Sequence, residues 1–172
     1  VFVITLAKGN YQLPKNVFVY SLGKEENNPK FVRTLRFYKF LFQLVPKSNG
    51  VFCHMSPIFA VAAWPIAFIF RKKIILWYLH RSVTLRLKLA EKLVYKIATA
   101  TKESLNFKSK KVVEFGHGID VEKFKTERKW ESFTSKQINI LSVGRISKIK
   151  DYETLIRAAS ILRDKGLEFK IK

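Results

Sequence analysis

Two cations, Arg145 and Lys150, follow a run of apolar β-forming residues, Ile138 to Val143, that ends at Gly144. The next residue, Asp151, is a helix N-cap type and opens a helical pattern. A cation beside a helix N-terminus is disfavoured by the helix dipole, by about 0.3–1 kcal/mol. A bound anion reverses that sign, because helix N–H groups, a lysine and an arginine then converge on a phosphate. The alternative is ordinary solvated charge, in a chain where 33 of 172 residues are Lys or Arg.

Other chemistry-bearing residues fall just after apolar runs. His80 follows "KKIILWYL", Thr101 follows "ATA", and "GHGID" at 116–120 follows "KVVEF". Gly116 and Gly118 permit positive φ and close backbone approach around His117; a tight turn carrying a surface histidine is the competing reading. His80 is the candidate catalytic residue, with His54 as its competitor and a satisfied structural histidine as the alternative for both. Three histidines and one cysteine, Cys53, show no metal-ligand spacing, so no metal is expected. Neither a Ser-His-Asp nor a Cys-His arrangement is legible, and one cysteine cannot form an internal disulfide.

These residues need a frame that gathers strand ends. Residues 1–6, 17–20, 50–55, 72–80, 98–101, 111–115 and 138–143 read as strands, with a further strand in "LEFKIK". Helical patterns run over 30–45, 57–70, 82–97 and 151–165, the last closed by Gly166. Strands such as "KKIILWYLH" hardly alternate, as in a parallel sheet buried on both faces. The expected fold class is therefore α/β: a Rossmann-like parallel sheet with helices on both faces, followed by the first β-α-β of a second such domain. In sheets of this kind ligands bind outside the carboxyl ends of the strands, where the residues above fall. The polar stretch 125–137 reads as a linker. The expected domains are residues 1–126, a linker at 127–136, and 137–172. The chain starts at Val1 inside one apolar run and ends in another, which reads as a fragment cut at both ends.

Charge bounds the partners. Thirteen acidic residues against the 33 basic ones give a formal +20, a field that attracts nucleic acid, anionic lipid or phosphorylated ligands alike. The longest uncharged apolar stretch, 56–70, rises about 22 Å as a helix, short of the roughly 20 residues that span a bilayer. Along 30–45, Phe31, Leu35, Tyr38, Leu41, Phe42 and Val45 share one helical face. Arg33, Arg36 and Lys39 share the other, with Phe37 and Phe40 among or beside them. Cations mixed with aromatics suit an anionic membrane or an acceptor surface; a solvated basic face is the alternative.

"VVEFGHGIDVEKF" followed, after a linker, by "INILSVGRISKIKDYETLIRAASIL" resembles the interdomain region of family-4 glycosyltransferases of the GT-B fold. The shared pattern is an apolar strand, G-[VI]-D-x-x-x-F, a linker, and a strand ending in V-G-R with a lysine five residues past the arginine. It covers residues 111–163; "KKIILWYLH" is a weaker match to the strand that ends in histidine. The resemblance implies an N-terminal acceptor domain and a C-terminal donor domain facing each other across a cleft. It implies hexosyl transfer from a nucleotide-diphosphate sugar to a glycan or lipid-linked acceptor in glycan biosynthesis, with retention, no metal and no cofactor beyond the donor substrate. Gly144, Arg145 and Lys150 would hold the donor diphosphate, and His80 would lie near the reacting sugar. Thr101, Gly116, His117 and Gly118 would line the cleft. Arg33, Arg36, Lys39 and Phe40 would face membrane or acceptor. A cytoplasmic enzyme attached at the inner face of the membrane is the matching location.

The resemblance also implies that a first strand with a glycine-rich loop precedes Val1. Two glutamates about eight apart would lie beyond Lys172, so the polypeptide as it stands is expected to be inactive. The alternatives are a basic nucleic-acid-binding protein and another nucleotide-binding Rossmann protein. No RNA- or DNA-binding signature is present, so a nucleic-acid partner is not expected.

Overall fold

The structure, a computed structural model, describes residues 1–10, 12–125 and 138–172. The chain divides into two compact units, Val1–Ile119 and Asp120–Lys172. The anticipated linker at 127–136 lies outside the described residues.

The first unit is α/β with parallel sheets flanked by helices. It begins with β1 (Phe2–Thr5) and β2 (Phe18–Ser21), a parallel pair. Helix α1 (Lys30–Leu44) leads to β3 (Gly50–His54), α2 (Pro57–Ile69) and β4 (Lys73–Trp77). Helix α3 (Leu85–Leu93), β5 (Lys96–Thr99) and β6 (Val112–Glu114) follow. Strands β3-β4-β5-β6 form one sheet in that order, all parallel. Each strand therefore sends its carboxyl end to the same edge, as the near-continuous apolar runs require.

Cys53, Leu76 and Ile97 are register partners across β3, β4 and β5, and all three are buried. Small residues let α2 approach this layer closely: Ala60, Ala63 and Ala67 are buried, as are Leu87 and Ala90 of α3. Burial pushes the Cys53 thiol up to about 12, so it stays neutral in the folded chain and is no nucleophile at neutral pH.

Two boundaries differ from the sequence reading. The expected helix 82–97 stops at Leu93, because Lys96–Thr99 pairs with both β4 and β6. Thr84 caps α3 by accepting from the Leu87 N–H at 3.2 Å. At the other end Lys111 Nζ donates to the carbonyls of Glu91, Lys92 and Val94, at 2.6, 3.0 and 2.9 Å. An ammonium there satisfies the orphan acceptors and complements the negative end of the helix dipole. Strand β4 ends at Trp77 rather than His80. Tyr78 still donates its N–H to Ala98, but its hydroxyl donates to the Ser82 carbonyl as the chain turns toward α3.

The wheel drawn for 30–45 needs a larger correction. Phe37, Leu41, Leu44 and Val45 are the buried positions. Phe40 is half-buried against Tyr20, with ring centroids 5.2 Å apart, and joins the core. Phe31, Leu35 and Phe42, placed on one face with Leu41 and Val45, are exposed while those two are buried. Apolar residues surround this helix on most sides, so tertiary packing on Tyr20 and Phe59, not local periodicity, chooses the inward face.

The second unit holds β7 (Ile138–Ile140), α4 (Tyr152–Asp164) and β8 (Phe169–Ile171), with β7 and β8 parallel. None of its described residues is buried. Among the described residues no helix is long and apolar enough to cross a membrane.

Candidate functional site

In the first unit the anticipated residues gather at the carboxyl edge of the four-stranded sheet. His54 ends β3 and is the register partner of Trp77, which ends β4. The next residue, Met55, donates its N–H to the Trp77 carbonyl at 2.7 Å and adopts a left-handed φ of 58°. That conformation is uncommon for a non-glycine residue, and it sits where the chain turns from β3 into the N-terminus of α2. His80 lies three residues past β4, exposed, with its ring edge-on to Tyr78 at 5.5 Å.

Beyond β5, Thr101 forms a short turn: its Oγ1 accepts from the Ser104 N–H at 3.2 Å and lies 3.0 Å from the Ser104 hydroxyl. Beyond β6, Phe115 and Gly116 donate to the carbonyls of Thr99 and Ala100, which continues the ladder into the glycine turn. Gly116 has the anticipated positive φ, 75°. Gly118 does not have one, and no heavy atom outside the adjoining residues lies within 4 Å of a Cβ built at either glycine. The backbone of this turn is therefore open, with no described protein atom packed against either glycine. His117 instead reaches back over the sheet edge, 6.1 Å from Trp77 and edge-on to it.

All three histidines thus follow or end strands at one sheet edge, where Trp77 is the register partner of His54 and in ring contact with His117. Trp77 is the residue that sequence reasoning missed, because it stood inside a run read as wholly buried. A half-exposed indole at a strand's carboxyl end offers an apolar platform beside groups that can donate or accept protons. Among the described residues no group of three or more His, Cys, Asp or Glu is arranged to hold a metal ion.

In the second unit the loop 141–150 carries Gly144, Arg145 and Lys150. The β7–β8 pairing continues as far as the Ser142 N–H donating to the Lys172 carbonyl. The chain then bends through a short 3-10 turn, Lys148–Lys150, into Asp151 at φ 47°. Asp151 caps α4 as expected. Its Oδ1 accepts from the Thr154 N–H at 3.3 Å, and Oδ2 accepts from the Thr154 hydroxyl at 2.8 Å. Gly166, at φ 73°, closes the helix.

Side chains from the turn and from α4 pack over Gly144. A Cβ there would lie 3.0 Å from Tyr152 Oη and 3.7 Å from Cγ and Cδ of Lys150. The lysine stem is folded back over the glycine that precedes Arg145. Both are exposed, and among the described residues neither makes an ion pair.

The α1 cations stand apart from these sets. Arg36 is bound to Glu26 at 2.9 Å. Arg33 is half-buried, with no hydrogen-bond partner for its Nε among the described residues. Lys39 alone of the three is fully exposed. No protein-family model matches the chain, and no curated protein matches it.

Proposed function

We propose that the chain belongs to a glycosyltransferase of the GT-B type that uses a nucleotide-diphosphate sugar. The observation that carries the proposal is the fold-back at Gly144. It lays the Lys150 stem over Gly144, next to Arg145 in the chain, in the loop that leads into a helix, and among the described residues neither cation makes an ion pair. Two unpaired cations with helix N–H groups suit a diphosphate. In the reaction the bond from the anomeric carbon to the diphosphate oxygen breaks, and a bond to an acceptor oxygen forms with retention of configuration. Arg145 and Lys150 stabilise the charge that develops on the departing nucleoside diphosphate. The sheet edge with His80, Thr101, His117 and Trp77 receives the sugar and acceptor, with the indole as a stacking face.

Turnover tests the reading. The protein should release nucleoside diphosphate from a nucleotide sugar in an acceptor-dependent manner. No release from any of the common uridine, guanosine or adenosine diphosphate sugars, with glycan and lipid-linked acceptors supplied, would sink it.

The acceptor is proposed to lie at an anionic membrane. Support comes from Phe31, Leu35 and Phe42, exposed on one side of α1 near Lys39, with the overall +20. Co-flotation with phosphatidylglycerol vesicles at low salt is expected, and Phe31→Ser with Phe42→Ser should reduce it severalfold. Equal flotation with neutral vesicles, or none at all, counts against the membrane part alone.

A further inference from the structure

A pocket of about 340 Å³ opens at the amino edge of the four-stranded sheet, the edge opposite His54 and Trp77. Lys73 begins β4, Tyr95 comes just before β5 and Lys111 just before β6, and all three line it. Helices α2 and α3 run against the strands, so both end at this edge, at Ile69 and Leu93. Five cations line the pocket, Arg71, Lys72, Lys73, Lys92 and Lys111, and no described carboxylate does. Among the described residues none of the five makes an ion pair. Glu91, the one carboxylate of α3, accepts from the Ser109 hydroxyl at 2.7 Å.

Cations belong at helix C-termini, where each end carries about half a negative charge. Lys111 meets that need at α3 through the three carbonyls it binds. At α2 the backbone closes the last turn itself: the Arg71 and Lys72 N–H groups donate to Phe68 and Ala67, at 3.0 and 2.7 Å. Four cations therefore stand against about half a negative charge, an excess of roughly three to four. Arg71 takes φ 52°, the left-handed position after a helix that glycine usually fills. Arginine is less stable than glycine there, and the side chain it adds lines the pocket. The walls are aromatic. Trp64 and Phe68 are stacked with centroids 5.1 Å apart, and Lys73 Nζ sits 4.2 Å over the Tyr95 ring. Low-dielectric walls around charges of one sign focus their field into the concavity.

We propose that this pocket binds an anion carrying two phosphate groups, either in solution or borne by a lipid. A phosphate monoester carries about −1.5 to −2 at neutral pH, so two of them match the excess of cations. The Arg71 guanidinium offers a planar fork to two oxygens of one phosphate, while Lys72, Lys73 and Lys92 act as point charges. Bringing such a ligand in relieves the mutual repulsion of the cations, which nothing else among the described residues offsets. The site shares no residue with the sheet edge of His80 and Trp77 or with the loop of Arg145 and Lys150. Its failure therefore leaves the glycosyl-transfer reading intact.

Pyrophosphate titrated into the protein at about 0.15 M salt, followed by amide NMR shifts, tests the site. Saturable shifts are expected at Phe68, Arg71, Lys92 and Tyr95, with affinity at least about tenfold above that of inorganic phosphate. Arg71→Gly combined with Lys92→Gln should weaken binding at these amides at least about tenfold. Glycine suits the left-handed backbone at 71 and Lys92 is exposed, so this variant keeps its fold. Shifts at Arg145 and Lys150 should be the same in both proteins, which separates this site from the proposed donor loop. Vesicles doped with a prenyl diphosphate assign the source. Flotation that the double variant abolishes puts the phosphates on a lipid, and flotation that it leaves unchanged puts them on a soluble ligand. No saturable shift at the four amides with millimolar pyrophosphate would overturn the proposal. So would unchanged affinity in the double variant, or equal affinity for phosphate and pyrophosphate.

Discussion

Leu76→Ala is expected to lower the stability of the first unit by about 3–5 kcal/mol. The side chain is fully buried at the centre of the four-stranded sheet, between its register partners Cys53 and Ile97. Truncation removes three carbons from contact with α2 and leaves a void that the surroundings fill poorly. The buried alanines of α2 already lie close to the sheet, and helices do not collapse further to close a hole. Domains of this size are stable by only about 5–15 kcal/mol, so this one change removes a large share of the total. Urea unfolding of the first unit, followed by far-UV circular dichroism, gives the number. Leu76→Met, which nearly conserves volume, should cost less than about 1.5 kcal/mol. If alanine cost no more than methionine, the packing of α2 on β4 would not be the tight layer described here.

That layer was readable in advance because its signal is local. "KKIILWYLH" lacks alternation, which marks a buried parallel strand, whereas Ile138–Ile140, read the same way, holds no buried residue. The ends of α4 were readable for the same reason: Asp151 and Gly166 act on the backbone within a few residues of themselves. What failed was decided at a distance. Ile97 fits a helical stripe as well as it fits a strand, and pairing with β4 and β6 settled the choice. The inward face of α1 was settled by aromatic neighbours on β2 and α2.

The candidate site divides along the same line. The carboxyl-edge positions of His54, His80, Thr101 and Gly116 followed from strand ends, which sequence locates to within a few residues. The approach of His117 to Trp77 joins residues forty apart in the chain and left no local trace. The separation of the β1–β2 pair from the four-stranded sheet is equally invisible, because periodicity names strands without naming their neighbours.

On the proposed reading, Arg145→Ala and Lys150→Ala should each lower kcat/KM for the nucleotide sugar by about 10²–10³-fold. In the proposed reaction the leaving diphosphate gains charge as the bond to the anomeric carbon breaks, and each cation would offset part of that gain. Two features of the loop make the prediction specific. The Lys150 stem and Tyr152 Oη pack over Gly144, where a Cβ would lie 3.7 and 3.0 Å from them, so Gly144→Val should displace the lysine and reproduce part of the loss with both cations present. The two also share one target, so the double variant should fall short of the product of the single effects. Arg145→Lys keeps the charge but loses the planar fork that grips two phosphate oxygens at once, and should recover only part of the rate. Surface charge serving solubility alone predicts something different. Each alanine would then leave donor kinetics unchanged, and Arg145→Lys would be silent. Acceptor KM separates the two units: it should stay near its original value in all of these variants, since the acceptor side is assigned to the sheet edge of His80 and Trp77.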